Sequence, residues 1–201
     1  MSRSTISTFK LLEMFPDEET ARAYLEGRLW PCGPTCPRCK SGDRITARAK
    51  GGFKRCNACR FDFTVRTDTV FGRSHVPLHK WIYAMYLLVT ARKGISSVQL
   101  AKEIGVTQKS AWFVLHRLRE VCGGGSSVLP DNTGSFYAVL RRGLYGVYHR
   151  PSAKHMLRYV NEFTFRLSDC NVGRDTLEQL DSFVDAVAGK RITYKDLTAT
   201  T

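Results

Sequence analysis

The stretch from Cys36 to Cys59 constrains this chain more than any other. It reads CPRCKSGDRITARAKGGFKRCNAC, two Cys-x-x-Cys knuckles (Cys36/Cys39 and Cys56/Cys59) with sixteen residues between them. Each knuckle sets two thiolates about one turn apart, and two knuckles supply the four soft ligands of a tetrahedral metal site. Between them Ile45 to Phe53 is short and β-permissive, with Gly51-Gly52 as a hairpin turn. The layout is that of a zinc ribbon, with structural zinc on Cys36, Cys39, Cys56 and Cys59. Iron suits the same four thiolates, because softness does not separate the two metals. A redox role finds no βαβ pattern around either pair. Cys32 stands in a poorer Cys-x3-Cys spacing to Cys36 and is left out of the site. With four thiolates present, His75 and His79 read as ordinary surface or helix-start residues.

Charge points to the partner. The chain carries 31 Lys/Arg against 18 Asp/Glu, a net +13. Residues 1–122 hold 21 basic and 10 acidic side chains, while residues 123–201 hold 10 and 8. From Cys36 to Arg60 there are eight basic residues and one acid, Asp43. Four thiolates with one zinc lower that excess by two and still leave a strongly positive module. Focused positive charge favours a polyanion, and nucleic acid is the natural one. Arg38, Lys40, Arg48, Lys50, Lys54, Arg55 and Arg60 are the candidate DNA contacts of the ribbon. No apolar run is long enough to span a membrane, and the N-terminus lacks the apolar stretch of a signal peptide. A cytosolic, reducing compartment follows, and it suits seven cysteines of which four hold metal.

The rest of the chain reads as helices. Acids follow Pro16, and Ala21, Tyr24, Leu25 and Leu29 recur at helical spacing, which predicts a helix over 17–29 that Trp30 to Pro34 ends. Phe61 to Arg66 alternates and is the expected last ribbon strand; Thr67 to Val76 is a connector. Pro77 opens a helix to about Arg92, stopped by Gly94. Ser96 or Ser97 caps a short helix to Ile104, Gly105 turns, and Thr107 caps a second helix to about Val121. Val98, Ala101, Ile104, Val106, Ala111, Val114, Leu115 and Leu118 form the expected inward set. Helix, glycine turn, helix, with the Pro77 helix as third member, is a helix-turn-helix pattern. It places Thr107, Gln108, Lys109, Trp112, Phe113, His116 and Arg117 on or beside the outer face of the recognition helix. Helical hairpins without DNA function are common; beside a basic ribbon this one points to DNA.

Gly123 to Ser127 then breaks composition and reads as a flexible linker. Beyond it come a helix over 135–142, an aromatic turn over 145–149, helices over about 151–167 and 174–187, and a basic tail over 191–197. The expected organisation is mainly α with a small β zinc ribbon. Its parts are a helical segment (1–35), ribbon and connector (36–76), helix-turn-helix unit (77–122), Gly/Ser linker (123–130) and C-terminal helices (131–201).

Several runs together resemble a known family. WPCGPTCPRC, FKRCNACRFDFTVRTDTVF, PLHKWIYAMYLL and KGISSVQLAKEIGVTQKSAWFVLHRLRE resemble the N-terminal half of bacterial DDE insertion-sequence transposases that carry a zinc ribbon. SFYAVLRRGLYGVYHRPSAKHMLRYVNEFTFRL and GKRITYKDLTA look like that family's final segment. The resemblance covers most of residues 25–197. It implies an RNase H-like catalytic domain whose carboxylates hold two Mg²⁺ ions about 3.5–4 Å apart for strand cleavage and transfer. The chain departs from that pattern where the chemistry lies. The family's Asp-Glu-Thr-Tyr strand and second aspartate segment are absent, and Gly134 stands where the helical Glu belongs. Asp131 is the one acid near the old site, and a lone carboxylate is a poor Mg²⁺ anchor.

The resemblance therefore implies an internally deleted transposase. Its zinc ligands and DNA-binding helices carry over, no catalytic residue does, and Mg²⁺, expected for the family, is not expected here. The implied partners are double-stranded DNA at the element's terminal repeats and a homo-oligomer or mixed oligomer with full-length transposase, with no membrane. The implied location is the bacterial cytoplasm at the nucleoid. Two other readings stay open. One is an active enzyme whose carboxylates come from Asp131, Glu162 and Asp169 or from a partner. The other is a DNA-binding repressor of the parent transposase. After residue 130 helices are expected, not a five-stranded sheet. Their apolar residues Phe136, Tyr145, Tyr148, Tyr159, Phe163 and Phe165 are expected to pack on one another, on the trihelical unit, or across a dimer.

Overall fold

The computed structural model describes residues 6–48, 51–91, 93–123, 133–148, 151–168 and 174–198. Lys50, Arg92, Asp131, His149, Asp169, Cys170 and all of the Gly/Ser linker except Gly123 lie outside the described residues.

Capping chemistry sets where the helices begin. Helix α1 (Thr8–Met14) starts where the Ser7 side chain accepts the N–H of Lys10. The Asp17 carboxylate accepts the N–H of Thr20 at 2.8 Å and opens α2 (Glu18–Leu29), with Glu18 and Glu19 in its first turn and Arg28 in its last. Helix α3 (Leu78–Thr90) follows Pro77. Ser96 accepts the N–H of Gln99 to start α4 (Ser97–Ile104), and Gly105 ends it at φ 63°, a left-handed stop that glycine takes without steric cost. Thr107 accepts the N–H of Ser110 and starts α5 (Gln108–Cys122). Helix α1 has no counterpart in the sequence reading; its signal was the Ser7 cap with Leu11 and Phe15 on one face, both now buried.

The ribbon is a three-stranded antiparallel sheet in the order β1 (Ile45–Ala47), β2 (Lys54–Cys56), β3 (Asp62–Phe63). Ile45 pairs with Cys56 and Lys54 with Phe63, so both flanking strands register on the strand that carries the second knuckle. The expected last strand over 61–66 is shorter than predicted, because the chain turns at Val65 toward the core instead of continuing the ladder. Trp30 meets Phe63 edge-on at 5.7 Å and closes the ribbon's small interior.

The C-terminal segments form α6 (Thr133–Gly143), a π-helical turn over Leu144–Tyr148, a 3-10 turn over Ala153–His155, α7 (Met156–Ser168), α8 (Thr176–Asp185) and α9 (Tyr194–Thr198). Among the described residues after 130 the structure is helical, apart from one bridge between Thr69 and Ala188. These helices did not stay apart from the rest. Helix α5 packs on α4 and on α7, while α8 packs on α2 and α3. One buried cluster runs from Leu11 through Trp81, Leu115 and Leu118 to Phe165, Phe183 and Val187. Phe136, Tyr159, Phe163 and Phe165 are buried, as expected. Tyr145 corrects that expectation: it is 72% exposed, on a π-helical turn that buries none of its residues, with Arg141 over its ring. Val98 corrects the inward set in the same way at 53% exposed; Leu100 takes the core position on α4 instead.

Two arginines tie the connector down. Arg117 Nη1 donates to the carbonyls of Val70 and Gly72, each at 2.6 Å. Arg66 donates to the carbonyls of Ser74 and Val76 and pairs with Glu18 at 2.7 Å. The approach of the C-terminal part is close at Gly94, where a Cβ would meet the Tyr148 hydroxyl at 2.1 Å.

Candidate metal centre and nucleic-acid interface

The two knuckles fold back on each other so that all four cysteine sulfurs lie within 4.8 Å of one another. Cys36 Sγ is 3.6 Å from Cys59 Sγ, and Cys39 Sγ is 3.5 Å from Cys56 Sγ. Tetrahedral zinc with bonds of about 2.3 Å sets its sulfurs about 3.8 Å apart, so the cluster fits that ion. The same donors suit S4 iron. The knuckles are built alike: Cys36 N–H donates to the Ser41 carbonyl at 3.0 Å, and Cys56 N–H to the Phe61 carbonyl at 2.9 Å. Cys32 and His75 are exposed, His79 is half-buried, and all three lie outside the cluster.

Backbone donors prepare the sulfurs for a metal. The Cys59 N–H holds the Cys56 thiol down to about 7, against the opposing effect of burial. Burial works against the Cys36 thiolate, yet the N–H groups of Cys39 and Arg38 outweigh it and lower its pKa. Burial pushes the Cys59 thiol up to about 12. Four thiols so close share protons unequally, and a cation at their centre removes that frustration.

The residue after each knuckle is unusual. Lys40 has φ 59° and Arg60 has φ 57°, both left-handed, at matching positions where glycine is the unstrained choice. Both side chains are exposed, as are those of Arg38 and Arg48. Arg38 lies over the Phe61 ring, 6.0 Å from its centroid. Arg48, Arg55 and Lys54 are engaged with acids. Arg48 and Arg55 share the Asp62 carboxylate at 3.2 and 3.4 Å. Lys54 corrects the sequence reading: it is half-buried, pairs with Glu26 at 2.9 Å and lies over Trp30, so it ties the ribbon to α2.

On α5 the exposed set is smaller than predicted. Thr107, Gln108 and Lys109 are exposed at its N-terminal turn, with Gln108 Nε2 donating to Ser97 Oγ at 3.2 Å. Lys109 Nζ lies 5.4 Å from the Tyr194 ring centroid. His116 and Arg117 do not lie on an outer face. His116 is wholly buried and Arg117 is 3% exposed, because α7 and the connector cover the side of α5 that α4 leaves free. Trp112 and Phe113 are half-buried; Trp112 stacks at a tilt on His116, 4.2 Å between centroids.

The acids set aside for a reassembled catalytic site are also placed. Glu162 is wholly buried; it accepts from Arg119 Nε at 2.6 Å, from the Tyr148 hydroxyl at 2.9 Å, and from Arg166. Burial alone would raise its pKa, but the Arg166 and Arg119 charges hold it below the usual carboxylate range. Its oxygens are committed to guanidinium and phenol donors. Among the described residues, the one cluster of three or more metal-ligating side chains is the four cysteines.

The comparisons with known proteins agree with this geometry. Residues 16–61 match the transposase zinc-ribbon domain, and residues 126–168 match the ISXO2-like transposase domain. These two stretches are similar to transposase domains. A curated relative is the uncharacterized protein in transposable element ISH50 of Halobacterium salinarum, 33% identical over 108 residues. That stretch is 53% of this chain and 36% of the relative, so the chain spans well under half of the relative's length. No solved structure matches. No helix among the described residues is long and apolar enough to cross a membrane.

Proposed function

We propose that this chain is a zinc-dependent DNA-binding derivative of an insertion-sequence transposase. It recognises the terminal repeats of its element through the ribbon and the α4–α5 hairpin, and it does not cleave strands. The observation that carries this reading is the four-cysteine cluster in a transposase zinc-ribbon domain, edged by the exposed cations Arg38, Lys40 and Arg60. Zinc, held by Cys36, Cys39, Cys56 and Cys59, fixes the ribbon fold. Lys40 and Arg60 contact phosphates, and Gln108 at the start of α5 reads a base edge, as glutamine pairs with adenine.

The commitment of Glu162 to Arg119 and Arg166 favours loss of cleavage over a reassembled carboxylate site. The same pairing favours the regulatory variant of this reading. A protein that occupies element ends in the cytoplasm, alone or in mixed oligomers with full-length transposase, competes with the active enzyme.

The test is a gel-shift titration of duplexes bearing the element's ends against scrambled duplexes, at several salt concentrations. Binding should fall with a slope of about 0.9 log units per phosphate neutralised, and Gln108→Ala should narrow the gap between end and scrambled duplexes. Equal affinity of the intact chain for both duplexes, or Mg²⁺-dependent nicking by the purified chain, refutes the respective half of the proposal.

A further inference from the structure

The α4–α5 hairpin and the C-terminal segments enclose a cavity of about 580 Å³ that plays no part in the reading above. Its wall includes Ser96 and Ser97 at the start of α4, Trp112, His116 and Arg119 on α5, and Tyr148 and His155 opposite. The volume lies within the range of small-molecule sites.

Three features point to a ligand. The first is the wall itself. Trp112, His116 and His155 are in mutual ring contact at 4.2, 4.5 and 5.6 Å, and Tyr159 meets His116 edge-on at 5.8 Å. Such surfaces take planar rings. The second is His116. It is wholly buried, and neither Nδ1 nor Nε2 has a hydrogen-bond partner. Burial and the nearby charges of Arg119, His155 and Arg158 keep it neutral. It therefore holds one unused donor and one unused acceptor, which a native interior rarely leaves unpaired. Trp112 and His155, both half-buried, stand against its ring, and all three line the cavity.

The third is charge. Arg119, which lines the cavity, shares the Glu162 carboxylate with Arg166, so the two guanidiniums carry one more positive charge than that acid offsets. The N-terminus of α4 adds the N–H groups of Ser97 and Val98, which precede the Gln99 N–H capped by Ser96. A metal cation is disfavoured beside Arg119 and Arg158, and a purely apolar ligand leaves His116 unpaired.

We propose that this cavity binds a nucleotide, its base among Trp112, His155 and Tyr159 with an edge on His116, and its phosphate toward Arg119 and the α4 N-terminus. The same chemistry is presented by a free mononucleotide and by an unstacked nucleotide in a strand. The inference stands apart from recognition of duplex DNA by the ribbon.

Calorimetric titration of the full chain with AMP, adenosine and inorganic phosphate tests it. AMP should bind saturably at one site, at least about tenfold tighter than either fragment. His116→Phe keeps ring and shape and should weaken AMP about tenfold; His155→Ala, at a half-buried position, does the same where the first variant folds poorly. Binding of a duplex carrying 2-aminopurine opposite an abasic site, with a fluorescence change abolished by His116→Phe, assigns the strand as the source. AMP binding alone assigns the free nucleotide. Inorganic phosphate as tight as AMP overturns the proposal, as does binding unchanged in both variants. Failure of AMP and of the modified duplex together also overturns it, whatever the intact duplex does.

Discussion

Arg119 on α5 and Glu162 on α7 form an ion pair at 2.6 Å, with side chains 2% and 0% exposed. Arg166 and the Tyr148 hydroxyl complete the carboxylate's shell, and Arg119 lies over the Tyr148 and Tyr159 rings at 5.0 and 4.2 Å. Through this pair α7 docks on α5.

Removing one member of such a buried pair strands the other charge. Glu162→Gln should destabilise the chain by about 3–5 kcal/mol, and the loss should appear in urea unfolding as a lower midpoint at similar slope. A variant within about 1 kcal/mol of the parent would show that the two helices are held by apolar packing alone.

Acid should weaken the fold through His116. Its folded pKa is driven down to about 2 from 6.5, first by burial, then by the charges of Arg119, His155 and Arg158 facing it. A depressed folded value means the unfolded chain binds the proton first. The contribution is complete above about pH 6.5 and is lost at about 1.4 kcal/mol per pH unit below it. Glu162, also depressed, adds a loss that begins only below the ordinary carboxylate range. Unfolding free energies measured from pH 7 to pH 5 should fall in the parent and fall less steeply in His116→Phe. Parallel curves would show that His116 is solvated.

The left-handed cations after each knuckle should trade stability against binding. Lys40→Gly and Arg60→Gly relieve about 1–2 kcal/mol of strain each and add about 0.5–1 kcal/mol of chain entropy cost, so melting temperatures should hold or rise slightly. The salt slope of DNA binding should drop by about 0.9 for each phosphate that is no longer neutralised. Unchanged slopes in both variants would remove these side chains from the interface.

Metal should be required by the ribbon. One zinc per chain is expected from elemental analysis of reduced protein, and Cys56→Ser should lose it, since a three-thiolate remnant no longer closes the tetrahedron. A folded parent chain that carries iron, or no metal, would reassign the centre.

Some of this was legible in the chain alone. The knuckle spacing brought four thiolates together, because the chemistry of the ligands lies in local sequence. Asp17, Ser96 and Thr107 declared three helix starts, and Gly105 a stop, because capping involves residues only two or three apart. What α5 would present was not legible. Its period gave one apolar stripe against α4, which put His116 and Arg117 outside. The fold lays α7 and the connector over that second side, and so buries His116, Arg117 and Arg119. Lys54, read as a candidate DNA contact, finds Glu26 in a helix that precedes the ribbon. Partners such as Arg119 and Glu162, 43 residues apart, leave no periodic trace. Local sequence settled ligands, caps and turns; only tertiary packing decided which charges met solvent, because burial of a polar face depends on what the rest of the chain brings to cover it.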